Sequence, residues 1–311
     1  MFASLRTLLT DLIDYAGLFP PARLSLDQAI RNYARYRQGN DAWMLGRFVI
    51  PASRLEDLEP YDEELFSVNP PFSFSVLGRG GNNLSEFLTN LRDDLRDVAA
   101  FRKRHGERVW VDMLEVRLPP DLADPRLPKS TSHLYKTLQV FFMVRLFPFC
   151  EAPGRPQDLL DQLKQLSSQY GEYAGFKLRC GGLEASAFPS TRQVAAALYS
   201  CREGHIAFKA TAGLHHPLPC FDAAVGARMH GFINVFLAGV LAYHHLLPIE
   251  QMFRLLDDDQ PDHFSFTNTE ASWQKYRITT AKIAEARGSF RSFGSCSFEE
   301  PCAGLRTLGW L

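Results

Sequence analysis

Two kinds of hydrophobic pattern alternate along this chain. Short runs with apolar residues at every second position are followed by longer stretches in which they recur every three to four positions. The first kind predicts strands over residues 14–19, 43–50, 72–77, 109–116, 138–146, 175–178, 206–210 and 263–267. The second predicts helices over 26–36, 55–65, 84–105, 156–170, 190–200, 228–245, 248–256 and 272–287. Only the segment after the fourth strand, rich in proline, reads as irregular.

Strand followed by helix, repeated, implies parallel strands joined by right-handed crossovers. Eight such units in 311 residues predict one (βα)8 barrel of the TIM type spanning 1–311, since about 250 residues is usual for that fold and insertions lengthen it. Residues 217–258 form a helical elaboration after the seventh strand, and 288–311 a docking tail. A doubly wound open sheet is the competing architecture. It calls for a G-x-G-x-x-G turn, and Gly78-Arg-Gly-Gly81 has the wrong spacing.

Composition narrows the function classes. The net charge of -1 offers no basic surface for nucleic acid. The most apolar stretch, 231–243, is too short to span a bilayer and contains Asn234, so it predicts a buried helix and no membrane partner. Asp11 and Asp14 interrupt the N-terminal apolar run, which argues against a secretory leader and for a cytoplasmic protein. The six cysteines form no C-x2-C pair, and reduced thiols are expected. Cys296, with no base beside it in sequence, reads as structural.

Candidate chemistry lies at the strand ends, where barrels of this kind build their sites. Glu115 and Arg117 share a phase on the fourth strand with Val109, Val111 and Met113, which leaves Asp112 toward the helices or a turn. Arg145 ends the fifth strand, and Glu151 follows in the loop. Lys177 and Arg179 share a phase on the sixth, and Lys209 and Thr211 on the seventh. Asp14 on the first and Ser265 and Thr267 on the eighth can face the same centre. Isolated buried charges cost several kcal/mol, so a shared polar site with mutual pairing explains them better than scatter does. Two neighbouring lysines repel, which should leave one amine neutral and able to attack a carbonyl.

The run Gly-Phe-Lys177-Leu-Arg179-Cys-Gly181-Gly182 and the run Phe-Lys209-Ala-Thr211-Ala-Gly213 resemble class I aldolases of the deoxyribose-phosphate type over about forty residues. The resemblance implies a Schiff-base lysine at Lys177, a lysine perturbing it at Lys209, and an acidic proton relay at Glu115 or Asp112. Arg179 stands where that family has a small hydroxyl residue, and His215 and His216 have no counterpart there. The stretches from Phe208 to Pro217 and from Ser292 to Phe298 also resemble a bacterial protein group, a likeness that supplies no activity.

Arg179, Arg117, Arg145, Thr211 and the glycines Gly181, Gly182 and Gly213 are candidates to hold an anion. The leading reading is therefore a lyase of aldolase type, acting on a small anionic carbonyl compound through Lys177, Lys209 and Glu115 with no cofactor. One alternative is a lyase, isomerase or hydrolase with a divalent metal on His215 or His216 and Glu151. Another is a small-molecule binding protein without catalysis. The helix 232–243 could serve a homodimer or be buried within the chain.

Overall fold

The computed structural model describes residues 1–171 and 173–311. Eight parallel strands close into a barrel: β1 (Ile13–Tyr15), β2 (Leu45–Pro51), β3 (Phe72–Leu77), β4 (Val109–Arg117), β5 (Phe147–Glu151), β6 (Gly175–Arg179), β7 (Ala207–Thr211) and β8 (Phe290–Ser295). β8 pairs with both β7 and β1, which completes the ring. Apolar side chains on the outer face of the strands pack under the helices. Phe48, Phe74, Phe176 and Phe208 on that face are each at most 1% exposed. The barrel is thus the fold that the alternation predicts.

Two strand predictions fail. Residues 138–146 are mostly the end of a helix, Ser130–Met143, and the fifth strand lies just beyond it. Leu134, Leu138 and Phe141 fall on one buried helical face, whereas Phe142 and Met143 point outward at 76% and 81% exposure. The dense apolar run therefore mimics a strand while obeying helical spacing. Arg145 sits after this helix with φ 54°, before β5 begins, at the end of the barrel opposite the strand C-termini.

Residues 264–266 are an edge strand of a small antiparallel sheet with Glu270–Trp273 and Tyr276–Thr279. Ser265 and Thr267 lie in or beside this outer sheet rather than in the barrel, and the helix expected from 272 begins only at Thr280. The closing strand comes from what reads as a tail. Its Ser292 and Gly294 are small because they face the barrel interior, where Ser292 meets the Asp14 carboxylate and Gly294 abuts Thr211. The rest of the tail forms a helix, Glu299–Thr307, and Trp310 packs on Phe264 and Phe266.

The elaboration after β7 holds a two-stranded hairpin, Cys220–Asp222 with Ala227–Met229, and then the helices Phe232–Tyr243 and Ile249–Asp257. Residues 232–242 are all buried within the chain, and Phe232 stacks on Phe293 of β8. The apolarity of this helix is spent on the barrel rather than on a subunit contact. No helix among the described residues is long and apolar enough to cross a membrane.

Candidate active site in the barrel interior

A register shift in β4 decides what enters the barrel. Phe74 pairs with Val111 and the next residue, Ser75, with Met113, so Asp112 is the extra residue of a bulge. Val109 and Val111 join the core beneath the helices, while Met113 packs with Phe149 and Ala207 inside the barrel. The uniform phase expected along β4 thus breaks at Asp112. Beyond the bulge, Met113, Glu115 and Arg117 face inward. Asp112 does not face the helices or a turn; it takes a two-pronged ion pair from Arg47 of β2, at 2.9 and 2.7 Å. That places it away from the lysines, and Glu115 is the only one of the two relay candidates that touches them.

The two lysines are register partners on β6 and β7. Glu115 stands between them, with Oε2 3.0 Å from Lys177 Nζ and Oε1 2.8 Å from Lys209 Nζ. Ser75 of β3 donates to Glu115 at 2.6 Å. Lys209 also donates to Asp14, whose carboxylate accepts from Ser292 at 2.7 Å and from the Arg47 backbone N–H at 2.7 Å. Gly46 of β2 must be glycine here, because a Cβ would come within 2.3 Å of the Asp14 carboxylate. On the other side, Lys177 meets Glu151 at 3.0 Å, and Glu151 accepts from Arg179 Nε at 3.1 Å. Glu151 is the last residue of β5 rather than part of the following loop.

The cluster grades from sealed to open. Asp14 and Lys209 are 0% exposed and Lys177 is 4%, whereas Arg179 is exposed at the mouth. Burial works against every charge in it, and the mutual pairing wins. Burial would raise the Glu115 carboxyl, but Lys209 and Lys177 pull it well below the usual carboxylate range. Burial also opposes the Lys177 ammonium, yet Glu115 and Glu151 lift it above its ordinary value. The neutral amine expected from repulsion between the lysines is thus absent at Lys177, because a carboxylate separates the two cations.

These shifts set a pH dependence. The Glu115 contribution to stability is complete above its unfolded value, near 4.3, and is lost as the pH falls toward its lower folded value. The Lys177 contribution is complete below about 10.4 and is lost as the pH rises through its higher folded value. Urea unfolding of the wild type and of Glu115→Gln should therefore show a gap between them that is widest near neutrality and narrows below pH ~4. A gap independent of pH would contradict the ionic role.

Of the anion candidates, Arg117, Arg179 and Thr211 sit at strand C-termini on the inward face. Arg117 is the register partner of Glu151, and Thr211 that of Arg179. Arg145 is not among them; the helix that replaced the expected strand leaves it at the opposite end. The glycines sit in close contacts. A Cβ on Gly213, at φ 70°, would meet the Cys180 carbonyl at 2.3 Å, and one on Gly181 would meet Gly213 Cα at 2.6 Å. Their two turns press together. A Cβ on Gly182 would meet Ala187 at 2.7 Å.

His215 pairs with Glu300 of the last helix at 2.9 Å, and His216 is exposed. Neither joins Glu151, and among the described residues no three His, Cys, Asp or Glu side chains converge to hold an ion. All six cysteines are free. Burial lifts Cys150 and Cys180 to about 12 and raises Cys296 as well, which suits structural thiols.

Sequence reasoning missed Ser75, Ser292 and Arg47. Ser75 had a signal, since it shares the polar phase of β3 with Ser73 between Phe72, Phe74 and Val76. Ser292 had none while its strand read as a tail. What fold and site define is a (βα)8 barrel whose interior holds a lysine–carboxylate network open at the strand C-termini. No protein-family model matches the chain, and no curated protein matches it.

Proposed function

We propose that the protein is a lyase of aldolase type acting on a small anionic carbonyl compound, with Lys177 as the amine. The observation that carries this reading is the setting of Lys177. It lies 3.0 Å from each of two carboxylates, on the same strand face as Arg179 two residues further toward the mouth. Lys209 is the less accessible amine, fully buried and held by Asp14, Glu115 and Ser75. It serves to fix the Glu115 charge.

Resting Lys177 is an ammonium and must lose a proton before it attacks. Arg179 supplies the means. A substrate carboxylate or phosphate competes for its guanidinium, which weakens the Arg179–Glu151 contact. Glu151, relieved of one cation, becomes basic enough to take the proton from Lys177. The amine nitrogen then adds to the carbonyl carbon, and the carbonyl oxygen leaves as water with the proton returned by Glu151. In the resulting iminium, the carbon–carbon bond next to a β-hydroxyl breaks. Its electron pair flows to the nitrogen and gives an enamine, while the hydroxyl proton passes to Glu151 and the second carbonyl product departs. Protonation of the enamine carbon and hydrolysis of the iminium restore Lys177.

Borohydride reduction in the presence of small oxo acids and aldehydes, followed by mass spectrometry of the peptide holding residue 177, checks this. A reduced adduct on Lys177, lost in Lys177→Met, is the expected outcome. Absence of any adduct across the panel refutes the covalent step. A purely ionic, non-catalytic interior predicts the same absence, with the loss of stability confined to the variants.

A further inference from the structure

We infer that the substrate carries two anionic groups and that Arg117 is the specificity-determining residue for the second. This rests on the Lys177-centred reading above and names the substrate class for that site. The first observation is register. Arg117 and Glu151 are Cα partners on β4 and β5, and partners in parallel strands project to the same face. Glu151 points inward to Lys177, so Arg117 points inward too. The continuous pairing from Met113–Phe147 to Arg117–Glu151 leaves no bulge to reverse it.

The second observation is that Arg117 has lost its natural partner. Both oxygens of Glu151 are already engaged, one by Lys177 and the other by Arg179. Among the described residues no carboxylate pairs with Arg117, and its side chain is exposed at the mouth. The inward-facing charges otherwise balance. Asp14, Glu115, Glu151 and Asp112 meet Lys177, Lys209, Arg179 and Arg47. Among the described residues, Arg117 is the inward-facing strand cation left without a carboxylate partner, and its guanidinium fork suits a carboxylate or a phosphate.

The third observation is spacing. Arg117 is level with Glu151 on β5 and so with Lys177 on β6, two residues short of Arg179, which puts the backbones of the two arginines about 12 Å apart. Lys177 lies one layer below Arg179. A short molecule with an anionic group at each end can therefore bridge the two guanidiniums with its carbonyl above Lys177. One end displaces Glu151 from Arg179 and triggers the proton transfer. The other end discriminates dianions from monoanions.

Titration calorimetry on the full chain with butyrate, succinate, glutarate and 3-phosphonopropionate tests this. Dianions should bind at least about tenfold more tightly than butyrate, as one added charged hydrogen-bonded contact provides. The better of succinate and phosphonopropionate identifies the second group as carboxylate or phosphate-like. Arg117→Gln should bring dianions to the butyrate level and leave butyrate itself unchanged, whereas Arg179→Gln should weaken both. Because Arg117 is exposed, its variant should unfold like the wild type. Equal affinities for mono- and dianions, a preference that survives Arg117→Gln, or no dianion binding at millimolar concentration would each overturn the inference. Trapping of a monoanionic oxo acid such as pyruvate on Lys177 separates the two claims. Trapping without a dianion preference defeats this inference alone, and a dianion preference without trapping defeats the covalent reading.

Discussion

Glu115→Gln should lower stability by about 3–5 kcal/mol at pH 7, the usual consequence of removing one partner from a buried ion pair. The loss should sit at the upper end, because this carboxylate serves two ammonium groups at 2.8 and 3.0 Å and is itself 2% exposed. The amide keeps the shape and can still accept from Ser75, so a cavity does not explain the effect. What remains is an uncompensated positive charge in an interior from which water is nearly excluded. Lys209 retains Asp14, while Lys177 and Arg179 are left to share Glu151, and the excess charge sits there. The double variant Glu115→Gln/Lys177→Met should then be more stable than Glu115→Gln alone, since it removes the surplus cation while Asp14 keeps Lys209 and Glu151 keeps Arg179. Urea unfolding of both reads the difference. A loss below about 1 kcal/mol in the single variant, or no recovery in the double, would show that the network does not depend on this carboxylate.

Gly213→Ala is expected to be nearly as harmful, by about 2–4 kcal/mol, for a reason of geometry alone. Its φ of 70° disfavours any side chain, and the added methyl would lie 2.3 Å from a backbone carbonyl that cannot rotate away. Gly182→Ala should cost less, since φ there is unexceptional and the obstruction is the Ala187 methyl on a short exposed turn. Thermal unfolding of the two variants separates these roles. If Gly213→Ala unfolded like the wild type but bound anions more weakly, the turn would be an anion cradle after all. The expected result is the reverse: lost stability with anion binding intact in whatever fraction stays folded.

Much of the barrel was legible because its pattern is local. The β3 boundaries and the helix 156–170 match the hydrophobic period to the residue. The placing of the lysines together on neighbouring strands is legible in the sequence, since alternation along Phe176–Arg179 and Phe208–Thr211 puts both on one face. The fifth and eighth strands were not legible, each for a physical reason. Residues 138–146 satisfy both periods over so short a span, and only the neighbours of Leu138 and Phe141 select the helix. β8 carries Gly and Ser where strands usually carry branched residues, because Thr211 and the Asp14 carboxylate occupy the space that side chains would need.

The amino-acid order by itself determined that this chain alternates strands with helices, that it closes as a barrel, and that Lys177, Lys209, Glu115, Glu151 and Arg179 belong near one end of it. Those properties follow from spacing along the chain. The charge state of Lys177 was decided only in three dimensions. Repulsion between the two lysines was foreseeable, but the insertion of Glu115 between their ammonium groups depends on the bulge at Asp112, which is a property of strand pairing and not of composition. Likewise, which arginine is paired and which is surplus depends on how many oxygens Glu151 has to offer once Lys177 and Arg179 have reached it. Electrostatic pairing acts through distance in space, so it follows tertiary contacts that no periodicity encodes.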